Sequence, residues 1–184
     1  MTNKLKGRIK QNKYVVVDVE SDGPIINYHS MVCFGAVIVN NDLENTPTFF
    51  GKTAPISTEF DQKALSVSGY SRKEHEEFPQ PMETIQKFYN WTMEHIGNYK
   101  RPIMISDNPS YDFSWINFYF HWFIGENPYG WSARRIGDLY GGMKMEGHAK
   151  WKNLRNTKHT HHPVDDAKGN AEALLKMIHM GLNL

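Results

Sequence analysis

Residues Tyr14-Val15-Val16-Val17-Asp18-Val19-Glu20 run apolar and then carry acid at alternate positions, until Gly23-Pro24 breaks the pattern. An apolar run bounded by a turn predicts a buried central strand. Side chains alternate along a strand, so Val16, Asp18 and Glu20 fall on one face. After a loop over 25–30, the continuous apolar run 31–39 predicts a second buried strand. Asn40-Asn41-Asp42 supplies a turn, and 46–53 reads as a third strand. Strands joined this closely form an antiparallel meander. Residues 55–80 are polar, with Gly69 and Pro79 as breaks, and predict short helical pieces. In 82–96, Ile85, Phe88, Tyr89, Thr92 and Ile96 make the stripe of an amphipathic helix. A fourth strand is expected over 102–106, and a second long helix, apolar on most faces, over 112–124. Phe118, Tyr119, Trp122 and Phe123 on that helix read as core. Residues 125–160 show no assignable period: Gly, Pro and Trp dominate their start, and Lys, Arg and His their end. The last helix is framed by Pro163 at its first position and Gly181 at its end, with Val164, Ala167, Ala171, Leu174 and Ile178 as its buried stripe. A meander followed by helix, strand, helix and helix predicts an α/β fold, a mixed sheet with helices packed on it.

Composition narrows the classes. The 184 residues fit one domain with a real core. The expected organisation is a basic arm over 1–13, carrying Lys4, Lys6, Arg8, Lys10 and Lys13, and a single domain over 14–184. A net charge of +1 excludes a globally basic nucleic-acid binder but not a local basic patch. The single cysteine, Cys33, excludes a disulfide framework and a multi-cysteine zinc site. No signal peptide opens the chain and no apolar run reaches the roughly eighteen residues of a membrane span. A cytoplasmic protein without a membrane partner is the expectation.

Three acidic constellations carry the candidate chemistry. Asp18 and Glu20, two residues apart at the exit of a buried strand, repel each other unless a divalent cation lies between them. Solvated acids at a strand end are the plainer alternative. In Ser106-Asp107-Asn108-Pro109-Ser110-Tyr111-Asp112, helix capping by Asp107, Asn108 or Asp112 accounts for the acids equally well. In His161-His162-Pro163-Val164-Asp165-Asp166, acid in a first helical turn is already favoured by the helix dipole. A histidine cluster also suits zinc, although the neighbouring acids favour a harder metal.

The ordered set Asp18-x-Glu20, Asn108-x-x-x-Asp112 and His161-x-x-x-x-Asp166 resembles the DEDDh branch of the DnaQ-like 3′–5′ exonucleases, over roughly residues 14–178. Among these it is most similar to small bacterial or phage exoribonucleases of the RNase AS and RNase T kind. The resemblance implies a ribonuclease H-like fold, a central five-stranded mixed β-sheet flanked by α-helices. It implies a phosphodiester hydrolase using two divalent cations, Mg²⁺ or Mn²⁺, held by Asp18, Glu20, Asp112 and Asp166, with His161 as general base. Ser21, Asp22, Gly23 and Asn108 are then expected to bind the substrate. Asp107 competes with Asp112, His162 with His161, and Asp165 with Asp166. The aromatic before Asp112, the spacing to His161 and the alanine after Asp166 favour the first-named set. Lys150, Lys152, Arg155 and Lys158 read either as a phosphate track or as a solvated basic loop. The expected substrate is single-stranded nucleic acid with a free 3′ end. RNA is favoured over DNA because the chain shows no polymerase domain. Proofreading or repair of DNA is the alternative, and an inactive interaction module a second one. Proteins of this kind often pair, so a homodimer is also an expectation.

Overall fold

The structure is a computed structural model, which describes residues 13–96 and 101–184. All of the predicted basic arm except Lys13 lies outside the described residues. In chain order the elements are β1 (Tyr14–Ser21), β2 (Met31–Ile38), β3 (Thr48–Lys52), α1 (Gln62–Val67), α2 (Arg72–Glu76), α3 (Pro81–His95), β4 (Ile103–Ser106), α4 (Pro109–Phe123), β5 (Arg134–Arg135), α5 (Ile136–Lys144), a single 3₁₀ turn (Lys152–Leu154) and α6 (Pro163–His179). The five strands form one mixed sheet in the order β3-β2-β1-β4-β5. The β1–β2 and β2–β3 pairs are antiparallel, and β1–β4 and β4–β5 are parallel.

The valine run lies at the centre of the sheet because both of its faces are covered. Val15, Val17 and Val19 pack against Phe88 of α3 and Trp115, Ile116, Tyr119 and Phe120 of α4. Tyr14 and Val16 pack on the opposite side with Tyr140 of α5 and Ala167, Ala171 and Leu174 of α6. Asp18 and Glu20 therefore leave β1 on the α6 side. β2 is buried along its whole length, Cys33 included, as its uninterrupted apolar run predicts. Among the described residues no helix is long and apolar enough to cross a membrane.

Two features of the sheet shape the surroundings of Asp18. The β1–β4 ladder stops at Val16↔Ile105, and after Ser106 the chain turns away into α4. Beyond Val16 the β4-side edge of β1 is thus open. On the other side, Gly35 of β2 pairs with Asp18. A Cβ on Gly35 would lie 2.3 Å from both the carbonyl carbon of Pro163 and the backbone nitrogen of Val164. The missing side chain lets the first turn of α6 rest directly on the sheet, one strand away from Asp18.

The structure departs from the sequence pattern in three places. α4 starts at Pro109 rather than at 112, because proline suits a first helical position, and Asp112 falls in its first turn. β5 and α5 occupy the stretch without a readable period. Two residues are too few to alternate, and Gly137, Gly141 and Gly142 weaken the helical signal of α5. Trp122 is 66% exposed rather than core and stacks on Phe118 at a ring separation of 5.5 Å.

Gly35→Ala sets a methyl group against backbone atoms that cannot rotate aside. It should cost about 1–3 kcal/mol, the range for overpacking, and thermal denaturation should show a Tm several degrees lower. Melting at the wild-type temperature would mean that α6 does not depend on this close approach.

Candidate active site

Four carboxylates meet where β1 ends and β4 turns away. Asp18 and Glu20 come from β1. Asp112 reaches across from α4: its Oδ1 accepts the Val19 N–H at 3.2 Å and its Oδ2 the Asn108 N–H at 3.3 Å. The Val19 donor lies beyond the end of the β1–β4 ladder, and Asp112 satisfies it in place of a strand. Asp166, in the first turn of α6, is fully buried. Its Oδ1 accepts from Thr160 N–H at 3.3 Å and its Oδ2 from His161 N–H at 3.0 Å.

The paired alternatives left open by the sequence occupy different surroundings. His161 adopts a left-handed backbone (φ 61°), and its Nδ1 lies 3.9 Å from Glu20 Oε1. His162 turns away: its ring lies 4.8 Å from that of Phe50 and its Nδ1 is 4.0 Å from Asp165. Asp165 is half exposed and accepts from the Thr160 hydroxyl, whereas Asp166 is buried. Asp107 pairs with Lys152 at 2.6 Å, whereas Asp112 is buried among the other acids. Neither Asn108 nor His162 caps its helix through its side chain.

The loop that carries His161 is tied to α6. Glu172 accepts from the N–H groups of Asn156 and Thr157 at 2.7 and 2.8 Å and from the Thr157 hydroxyl at 2.8 Å. Arg155 donates to Asn170, and its Nη1 is 3.9 Å from Asp166 Oδ1. Arg155 is therefore an internal anchor and not a phosphate contact, with its side chain only 8% exposed. Lys152 is committed to Asp107, and Lys150 and Lys158 are exposed.

Burial, more than neighbouring charge, raises the pKa values of Asp18, Glu20 and Asp112. Burial lifts Asp18 well above the usual carboxylate range, and the charges of Asp112, Asp166 and Glu20 add to it against the opposing Arg155. Burial, followed by Asp166 and Asp112, raises Glu20 to about 7. Burial also raises Asp112 to about 7, although the N–H groups of Asn108 and Val19 work against the rise. These are acids held together against their own repulsion.

The residues expected to cup a substrate are placed otherwise. Ser21, Asp22 and Gly23 are buried. The Ser21 hydroxyl donates to the Gly23 carbonyl at 2.6 Å and shares a 2.5 Å hydrogen bond with the Tyr111 hydroxyl. Asp22 accepts the Ser30 N–H at 2.5 Å and pairs with Arg72 at 2.9 Å. A Cβ on Gly23 would overlap the His29 ring. The three residues form a packed corner, and only Asn108 of the expected four is exposed. Ile25 and Tyr28, just beyond that corner, are 56% and 51% exposed.

Sequence reasoning missed Tyr111 and His159. The hydroxyl of Tyr111 reaches Ser21, ninety positions away, and no local pattern signals such a contact. His159 Nδ1 lies 2.7 Å from Asp166 Oδ1, and its ring packs edge-on against that of His161 at 4.3 Å. Its spacing of two from His161 was the available signal.

No protein-family model matches the chain. It is 32% identical over 152 residues to the 3′–5′ DNA exonuclease Cap18 of Escherichia coli, an alignment that covers 82% of this chain and 78% of that protein. Among solved structures, the fold is similar to the nuclease domain of 3′hExo, a DEDDh family member bound to rAMP, with a TM-score of 0.74 and 17% identity over 96% of both chains. It is also similar to the cell-death related nuclease 4, with a TM-score of 0.72 and 15% identity, covering 91% of this chain and 64% of the other. E. coli exonuclease I in complex with a dT13 oligonucleotide has a TM-score of 0.65 and 14% identity, over 92% of this chain and 41% of the other.

The raised acids carry a stability signature. A carboxyl that titrates at 4.5 when unfolded and at about 7 when folded contributes stability that is complete below 4.5 and lost as the pH rises through about 7. In the presence of a chelator, the Tm of the wild type should fall over that window, and Glu20→Gln should fall less. Parallel pH profiles for the two proteins would contradict a raised Glu20.

Proposed function

The chain belongs to the DEDDh 3′–5′ exonucleases, and we propose that it removes nucleotides singly from the 3′ end of single-stranded DNA. The observation that carries this reading is the meeting of Asp18, Glu20, Asp112 and Asp166 with His161 at one end of the central strands. The choice of DNA is supported by the named activity of the E. coli relative. The expectation of RNA leans on a resemblance to small exoribonucleases, which weighs less than the named activity of a relative 32% identical to this chain. The unit that acts is the single domain over 14–184.

The donor set fits hard divalent cations. It consists of carboxylate oxygens, burial and neighbouring carboxylates raise the pKa values of Asp18 and Glu20, and Arg155 opposes the rise at Asp18. Oxygen donors that need positive charge suit Mg²⁺ or Mn²⁺, and Asp18, Glu20, Asp112 and Asp166 would hold two such ions. When bound, the pair activates a water and stabilises charge on the attacking and leaving oxygens.

The protein's own groups perform the rest. The water oxygen forms a bond to the terminal phosphorus as the bond from phosphorus to the 3′ oxygen of the preceding nucleotide breaks. His161 takes the water's proton. Its Nδ1 faces Glu20, which leaves Nε2 to accept. The 3′ oxygen leaves with a proton from solvent, giving a 5′-mononucleotide and a shortened strand with a 3′-hydroxyl. Asn108 borders the site, Tyr28 offers an exposed ring on which the terminal base can stack, and Ser21, Asp22 and Gly23 act by holding the corner that presents it.

Asp18→Asn should slow turnover about a thousandfold or more by removing the central charge. His161→Ala should lose roughly a hundred- to ten-thousandfold, the range for a positioned general base, with cation binding retained, and His162→Ala should stay near wild type. Labelled linear and circular oligonucleotides of DNA and RNA check the substrate. Linear DNA should be degraded fastest, with mononucleotide products and circles spared. Equal cleavage of circles would show an endonuclease, and faster RNA cleavage would reverse the choice of sugar.

A further inference from the structure

His159 has no part in the proposed hydrolysis, yet it sits against Asp166 in a position that the four acids do not explain. The ligand atoms of His159, His161 and Asp166 all lie within 4.8 Å of one another. His159 Nδ1 is already 2.7 Å from Asp166 Oδ1, and the two imidazole rings are in edge-to-face contact. Glu20 Oε1, 3.9 Å from His161 Nδ1, stands next to the group as a further oxygen donor. Both histidines are exposed, so a cation can reach them from solvent, while Asp166 closes the inner side. The loop that leads to the imidazoles is fixed to α6 at Asn156 and Thr157 through Glu172.

Two imidazoles and one carboxylate are a donor set of different character from the acids. Magnesium prefers oxygen alone, whereas imidazole suits zinc, and three protein donors with one open position are a common zinc arrangement. We propose that His159, His161 and Asp166 form a second, softer cation site that takes zinc and, when filled, shuts off the exonuclease. Asp166 belongs to both donor sets, and His161 is the proton acceptor. Zinc in this site therefore removes one oxygen donor from the acid set and the lone pair from the base. Inhibition rests on the proposed exonuclease reading; binding does not.

The test uses the metal-free full chain. Zinc chloride is titrated into wild type, His159→Ala and His162→Ala by calorimetry, and the zinc environment is read by X-ray absorption. His159 is exposed, so its replacement leaves the core untouched. The expected result is imidazole nitrogen around zinc in the wild type, binding weakened about tenfold or more in His159→Ala, and no change in His162→Ala. In oligonucleotide hydrolysis with excess magnesium, the zinc concentration for half inhibition, taken against each protein's own uninhibited rate, should rise by a similar factor in His159→Ala alone. Equal zinc affinity in wild type and His159→Ala, or a zinc shell of oxygen only, would overturn the site. Full turnover with zinc bound to the imidazoles would overturn the inhibition. Failure of the exonuclease reading itself would appear separately, as absence of hydrolysis with magnesium before any zinc is added.

Discussion

Like charge held in a confined space is the constraint around which this molecule is built. Asp18 lies where burial and three neighbouring carboxylates all oppose its ionisation. Once ionised, such a group opposes folding: raising a pKa by one unit corresponds to about 1.4 kcal/mol of differential interaction. The arrangement persists because the surrounding backbone holds the acids by other means. Asp112 is secured by the N–H groups of Val19 and Asn108, and Asp166 by those of Thr160 and His161. Each of those donors would otherwise lack a partner in its own ladder or helix, so the anchoring comes from where strands and helices end.

Topology brings the acids together from far apart in the chain. β1 has an antiparallel neighbour on one side and a parallel one on the other, and open α/β sheets place their sites at the carboxyl ends of strands near such a reversal. The early end of the β1–β4 ladder opens one side of Asp18 to α4, and Gly35 opens the other to α6. Small residues at the contact, Ala167 and Ala171 among them, keep the helix close to the sheet. The proposed chemistry and the proposed zinc site both depend on this approach, because Asp166 belongs to each.

Much of this was legible in the sequence because the signals were local. The valine run, the 3.6-residue stripes of α3 and α6, and Pro163 at a helix start each come from spacing and propensity. The aromatic before Asp112, the spacing to His161 and the alanine after Asp166, read through the family resemblance, preferred these residues to Asp107, His162 and Asp165; Asp107 pairs with Lys152, and His162 lies beside Asp165. What could not be read depends on long-range contact. Asp22 is expected to bind the substrate until Arg72, fifty positions later, folds onto it. Arg155 looks like one more cation of a basic loop until Asn170 and Asp166 enclose it. β5 is too short to leave a pattern, and it forms because β4 offers it an edge.

Burial, reinforced by neighbouring carboxylates, favours the protonated forms of Asp18, Glu20 and Asp112, and the proposed divalent cations would displace those protons. Calorimetric titration of Mn²⁺ into the metal-free protein near pH 7, repeated in buffers of different ionisation enthalpy, measures ion binding and proton release together. Two ions per chain should bind with net release of protons, and Asp18→Asn should lose most of that binding. Binding without proton release, or unchanged binding in Asp18→Asn, would contradict that displacement.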